Sequence, residues 1–285
     1  LFILPMIIYI VLFNYLPMYG IQLAFKDYRP TDGIWGSAWV GLEHFKTFFE
    51  SYQFKDLLWN TLSLSFYSLI AGFPMPIIFA LFLNYITKKR FKKTAQMITY
   101  APHFISTVVY CGMILIFLSS DGIINQLLMI LGIDPVGFLS NPENFRHIYV
   151  WSGVLQGIGW GSIMYISVLT SVGPELHEAA TVDGASRFQR LIYIDIPSIM
   201  PTMVIMLIMR AGEIMDLGFE KAFLLQNSIN LEYSEIISTY VYKIGIQGGQ
   251  FSYSAAIGLF NNVINLLLLV VVNKIAKRVS DVSLW

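Results

Sequence analysis

The chain has 285 residues, 56% of them hydrophobic and only 13% charged. Soluble domains carry roughly 25% charged residues, so this composition excludes an ordinary water-soluble domain and points to an integral membrane protein. Eighteen basic residues balance 18 acidic ones, which removes net charge as a guide, and the single cysteine, Cys111, excludes an intrachain disulfide and a cysteine metal cluster.

Leu1 opens an apolar run that lacks the basic flank and small-residue cleavage site of a signal peptide. It reads as a spanning helix whose leader lies upstream. About 20 mostly apolar residues are needed to cross a bilayer. Six segments reach or approach that length: 2–25, 61–86, 102–118, 148–171, 199–215 and 255–275. Pro5, Pro17, Pro74 and Pro76 fall inside spans and read as kinks, which membrane helices tolerate when neighbours satisfy the freed carbonyls.

The three connections on one side hold ten basic residues: Lys88, Lys89, Arg90, Lys92, Lys93, Arg187, Arg190, Lys274, Lys277 and Arg278. The opposite connections, 26–60, 119–147 and 217–254, are much longer and hold seven. Basic residues near span ends mark the cytoplasmic face, so both termini are expected there. The long opposite loops would lie outside, rich in aromatic anchors and offering a surface to a partner. The whole chain, 1–285, reads as one all-α membrane domain.

One polar island interrupts this pattern. Residues 178–201 read EAATVDGASRFQRLIYIDIPSIMP. Pro174 suits the first turn of a helix, and Glu175 and Glu178 suit its positive end. Gly184 is placed to end that helix. Ala185, Phe188, Leu191 and Ile192 then share one face of a second helix, and Pro197 and Pro201 mark the start of the fifth span. The small face at Ala179, Ala180 and Ala185 permits close approach of another protein.

Several chemistries lack their residues. No GxxxxGK[ST] loop is present to cradle a nucleotide. His177-Glu178 begins an HExxH pattern, but Thr181 stands where the second zinc ligand belongs. No GxSxG elbow occurs, and the four histidines lack ligand spacing. No catalytic or metal set is read, and nothing suggests nucleic-acid binding.

Glu178-Ala179-Ala180, Asp183-Gly184-Ala185, Phe188 and Ile196-Pro197 together resemble the EAA motif of binding-protein-dependent ABC importer permeases. Two further stretches, 14–28 (NYLPMYG…AFKDY) and 218–242 (GFEKAFLLQN…ISTYVY), are similar to the carbohydrate-uptake branch of that family. The resemblance implies a type I ABC importer permease fold with six spans, in a bacterial cytoplasmic membrane. It implies a coupling loop over 172–198, with Glu178, Ala179, Ala180, Asp183, Gly184, Ala185, Arg187 and Phe188 seated on a cytoplasmic ATPase. It further implies two such ATPases that bind ATP and magnesium, a second and different permease subunit, an extracytoplasmic solute-binding protein and an oligosaccharide substrate. Bond chemistry is not expected in this chain.

Arg210, Glu213 and Asp216 recur every third residue in or just beyond the fifth span. Intramembrane charges usually face a cavity or one another. Two readings stand: these residues line a translocation path with Gln156, or Arg210 and Glu213 form a structural ion pair. Permeases for amino acids, peptides or phosphate, a stand-alone channel and an intramembrane enzyme are the alternatives to a sugar permease.

Overall fold

The computed structural model describes residues 3–280. Phe2, the expected start of the first span, lies outside them, as do the extreme termini expected at the cytoplasmic face. Five helices are long and apolar enough to cross a membrane: Leu4–Phe25, Phe54–Tyr85, Asn144–Ser171, Arg187–Gly212 and Phe251–Arg278. A sixth crossing is a bent pair, Lys89–Phe104 and Thr107–Phe117, whose axes meet at 105°.

That bend corrects the third span. Residues 102–118 do not form one helix. Ile105 is extended, and Ser106 caps the new helix by accepting the Val109 amide at 3.4 Å. The Thr107–Phe117 arm is only about 17 Å long by helix geometry. The preceding arm lies against the fourth span at Gly159, where any Cβ would collide with the Thr99 carbonyl.

The fourth span, Asn144–Ser171, is the hub. It packs against the second span, the Lys89–Tyr100 arm and the fifth span. Glycine permits the tightest approaches, as membrane interfaces generally require. At Gly161 a Cβ would lie 3.1 Å from the Pro76 ring, and at Gly212 one would lie 2.8 Å from Leu269. The sixth span runs along the fifth and along Tyr19–Phe25. The first span differs from the rest, because Leu4–Tyr19 carries no buried residue.

Two π turns share one cause. Val11–Tyr15 and Leu191–Asp195 each end two residues before a proline, Pro17 and Pro197. Proline lacks an amide hydrogen, and its ring crowds the carbonyl four residues back. Widening that turn relieves the clash and inserts one residue, which redirects the side chains around it.

The long connections are more structured than their polarity suggested. Lys26–Asp27 and Ala38–Trp39 form a short antiparallel ribbon, a small departure from an all-α fold. The Glu43–Glu50 helix buries Phe48 against Leu57, Ile214 and Ile257. Residues 217–254 are not a free outer loop. Ile236, Ile237 and Thr239 are fully buried. Asn60 donates to the Glu232 carbonyl at 2.7 Å, Thr61 accepts the Ile237 amide at 3.0 Å, and Arg146 donates to Asn60 at 2.8 Å. These bonds fasten the segment to the adjacent ends of the second and fourth spans.

Candidate functional site: the motif turn and the interhelical cavity

At the opposite end of the bundle, the polar island folds as a helix, a sharp turn and a second helix. Pro174 opens Pro174–Val182 in its first turn, with Glu175 beside it. Gly184 ends it with a φ of +81°. The Ala185 amide reaches the Ala180 carbonyl at 2.8 Å and the Gly184 amide reaches Thr181 at 3.1 Å, the two bonds of a Schellman stop. Ser186 then caps the next helix. It accepts the Gln189 amide, and the Gln189 side chain accepts the Ser186 amide at 2.8 Å, forming a capping box.

That second helix does not end before the membrane. It continues through the π turn into the fifth span, so the span begins at Arg187 rather than at 199. Ala185 precedes the cap and does not lie on the helix face expected for it.

All eight motif residues are at least partly exposed. Glu178, Ala179, Asp183, Gly184, Arg187 and Phe188 are open, and Ala180 and Ala185 are half-buried. Leu176, Val182 and Phe188 are 55%, 88% and 70% exposed, an apolar surface along the helix and the start of the one that follows the turn. The turn is stiffened from behind. Arg190 donates to the Thr181 hydroxyl at 2.8 Å. His177 approaches Asp195 at 3.4 Å, and Tyr85 donates to the same carboxylate at 2.7 Å. Tyr85 also brings the basic segment that follows it, Lys88–Lys93, to the end of the bundle that bears the motif. A cavity of about 650 Å³ opens between Tyr85, Leu169, His177, Glu178 and Arg190.

The second feature is a cavity of about 300 Å³ between the second, fourth and fifth spans. Gln156, Arg210, Glu213 and Asp216 all line it, so the structure gathers the four residues singled out as a path. Arg210 and Glu213 do not pair: among the described residues no ion pair joins them, which corrects the structural alternative. Glu213 lies at the helix end, one residue past Gly212, and borders the same cavity as Arg210. Ser65 and Ser68 also line the cavity, and their buried hydroxyls have no protein partner. Lys221 completes it, donating to the Tyr149 carbonyl at 2.7 Å.

Sequence reasoning missed Lys221, Asp195 and Tyr85. Lys221 stood in a segment read as an outer loop. Asp195 lay inside the motif region, but only its tertiary partners, about 110 positions away in sequence, mark it as special. The capping box was the one legible signal left unused.

A sequence profile described as "Binding-protein-dependent transport system inner membrane component" matches residues 58–281. The chain is similar to Protein LplB of Bacillus subtilis (strain 168), with 41% identity covering 100% of this chain and 90% of that protein. It is also similar to the polygalacturonan/rhamnogalacturonan transport system permease protein YteP of the same organism, with 42% identity covering 100% of this chain and 89% of that one. A chain in the crystal structure of a bacterial ABC transporter involved in the import of the acidic polysaccharide alginate superposes with a TM-score of 0.90, at 41% identity, over 98% of this chain and 94% of that chain. A second alginate transporter structure, in complex with an alginate pentasaccharide-bound periplasmic protein, gives a TM-score of 0.91 at 40% identity, over 99% of this chain and 95% of that one.

Proposed function

The chain belongs to the family of binding-protein-dependent transport system inner membrane components, and from that membership we propose that it forms half of the translocation path of an ATP-driven oligosaccharide importer. The membrane is the cytoplasmic membrane of a bacterium. The path works by alternating access, and this chain contributes no bond chemistry of its own.

The observation that carries the reading is the coupling turn. The Pro174–Val182 helix exposes Leu176 and Val182 and the start of the next helix exposes Phe188, while the motif is pinned to the bundle from behind. Exposed apolar groups on a rigid polar turn suit a protein partner better than water. Two cytoplasmic ATPase subunits are the proposed partners of this complex, one of them on this turn, and they hold the ATP and magnesium.

A second, homologous but different permease supplies the other half. The unburied Leu4–Tyr19 helix supports a neighbour of that kind, in addition to lipid. A solute-binding protein delivers the sugar at the end of the bundle that carries residues 217–254. The relatives' substrates favour an acidic oligosaccharide over an amino acid, peptide or phosphate. Unpartnered Ser65 and Ser68 hydroxyls, Gln156 and Arg210 are suited to sugar hydroxyls and a carboxylate.

The test is purification of the chain with its neighbouring subunits, followed by reconstitution into vesicles. ATPase subunits should co-elute, and an alginate or oligogalacturonate pentasaccharide should enter only when ATP and the binding protein are present. Entry without ATP would favour a channel.

A further inference from the structure

Asp195 is fully buried, so it cannot be part of a docking surface. It closes the π turn that Pro197 imposes on the fifth span. Tyr85 donates to Oδ2 at 2.7 Å, Asn84 reaches Oδ1 at 3.5 Å, and His177 Nε2 lies 3.4 Å from Oδ1. Asn84 and Tyr85 end the second span, and His177 sits in the middle of the Pro174–Val182 helix. One carboxylate therefore joins three elements: the coupling helix, the second span and the fifth span.

The chemistry of the junction is one-sided. A carboxylate only accepts: Tyr85 and Asn84 donate to it, and the His177 imidazole stands within ion-pair distance. Tyr85 has a second possible acceptor, the Arg187 carbonyl at 3.2 Å. Its hydroxyl carries one proton and serves one of the two, and the shorter distance assigns it to Asp195. The Arg190–Thr181 bond, by contrast, stays within the coupling turn and reaches no other span.

We propose that Asp195 is the positioning residue that passes displacement of the Pro174–Val182 helix to the second and fifth spans. This rests on the reading that an ATPase seats on that helix. A buried carboxylate stripped of its donors is strongly disfavoured, so the three elements move together rather than slide past one another. The apolar contacts nearby, Leu81, Leu169 and Ile199, fix distance but not direction. In Asp195→Asn the carboxylate charge facing His177 is gone and a single acceptor oxygen is left for Tyr85 and Asn84. Tyr85 then turns to the Arg187 carbonyl, and the link between the second span and the coupling helix is lost while the packing stays.

The experiment uses the complete transporter in vesicles with its binding protein and an alginate pentasaccharide. Co-purified ATPase, stimulated ATP hydrolysis and sugar transported per ATP are measured for the native chain, Asp195→Asn and Tyr85→Phe. The Tyr85 variant deletes a single hydroxyl and decides the matter if Asp195→Asn does not assemble. ATPase should co-purify with the variants as it does with the native chain, and transport per ATP should fall about tenfold, within the usual range of coupling between sites. Unchanged transport per ATP in variants that retain the ATPase would overturn the proposal while leaving the docking reading intact. Loss of the ATPase from Tyr85→Phe would also overturn it, by reducing the cluster to a structural prop. Absence of the ATPase from the native complex would instead overturn the docking reading, and this inference with it.

Discussion

Lys221 reaches from the Phe219–Leu225 helix to the fourth span, where its ammonium donates to the Tyr149 carbonyl at 2.7 Å and lies 4.7 Å from the centre of the Tyr149 ring. Gly153 makes room for it, since a Cβ there would stand 3.1 Å from the amine. Among the described residues no carboxylate pairs with Lys221. A buried cation held by a carbonyl and an aromatic face is thereby left at the edge of the interhelical cavity.

Burial pushes the Lys221 amine down from 10.5 to about 8. Between those two values the unfolded chain holds the proton more tightly than the folded one. Stability therefore rises with pH across that window and is lowest below it. Lys221→Met should raise the apparent melting temperature at neutral pH, by at most on the order of 3 kcal/mol of stability. It should also flatten the rise between pH 8 and 10. Thermal unfolding of the purified protein at a series of pH values checks this, and parallel profiles for the two proteins would count against it.

Arg210→Ala and Glu213→Gln should both assemble normally, because neither residue holds a helix through the other. Each should raise the KM for sugar uptake by about tenfold to a hundredfold, since a lost charge-assisted hydrogen bond is worth about 1.5–3 kcal/mol. Reduced yield of the assembled complex, with normal kinetics in what remains, would return them to a structural role.

Gly184→Ala adds a methyl that touches nothing within 4 Å, so its effect is confined to the backbone. Holding a non-glycine residue at that positive φ costs about 1–2 kcal/mol. Severalfold less ATPase should co-purify, while the thermal stability of the membrane helices stays near normal. Equal ATPase recovery from both proteins would show that the Schellman stop does not position the turn.

Phe188→Ser removes a side chain that is 70% exposed. The isolated permease should keep its melting temperature and lose ATPase binding. A drop in stability with docking preserved would place Phe188 against the bundle instead.

Much of this was legible in the sequence, for stated reasons. Spans one, two, four, five and six follow from runs of apolar residues, because a bilayer imposes length and hydropathy directly. The helix stop at Gly184 follows from the rarity of positive φ in other residues. The bend at Ile105–Ser106 did not show, because the basic first arm, Lys89–Tyr100, reads as a loop and the Ser106 cap is the one local mark of the break. The folding-back of residues 217–254 was hidden as well. Asn60 and Thr61 satisfy its backbone, with Arg146 holding Asn60 in place, and those partners lie far away in sequence. The same holds for Asp195. An aspartate between isoleucines reads as a polar interruption until Tyr85 and His177 are seen around it.

Cys111 is buried and is the chain's single cysteine, so a cysteine placed on the coupling turn would be the only accessible thiol. The most direct test of the coupling role is site-directed cross-linking from Ala179→Cys in the assembled transporter, with and without ATP. A covalent adduct of permease plus one ATPase subunit, changing in yield when ATP is added, is the predicted result. An adduct that never forms, while ATP-driven uptake proceeds at the native rate, would contradict the assignment of this turn as the point where ATP hydrolysis drives the membrane helices.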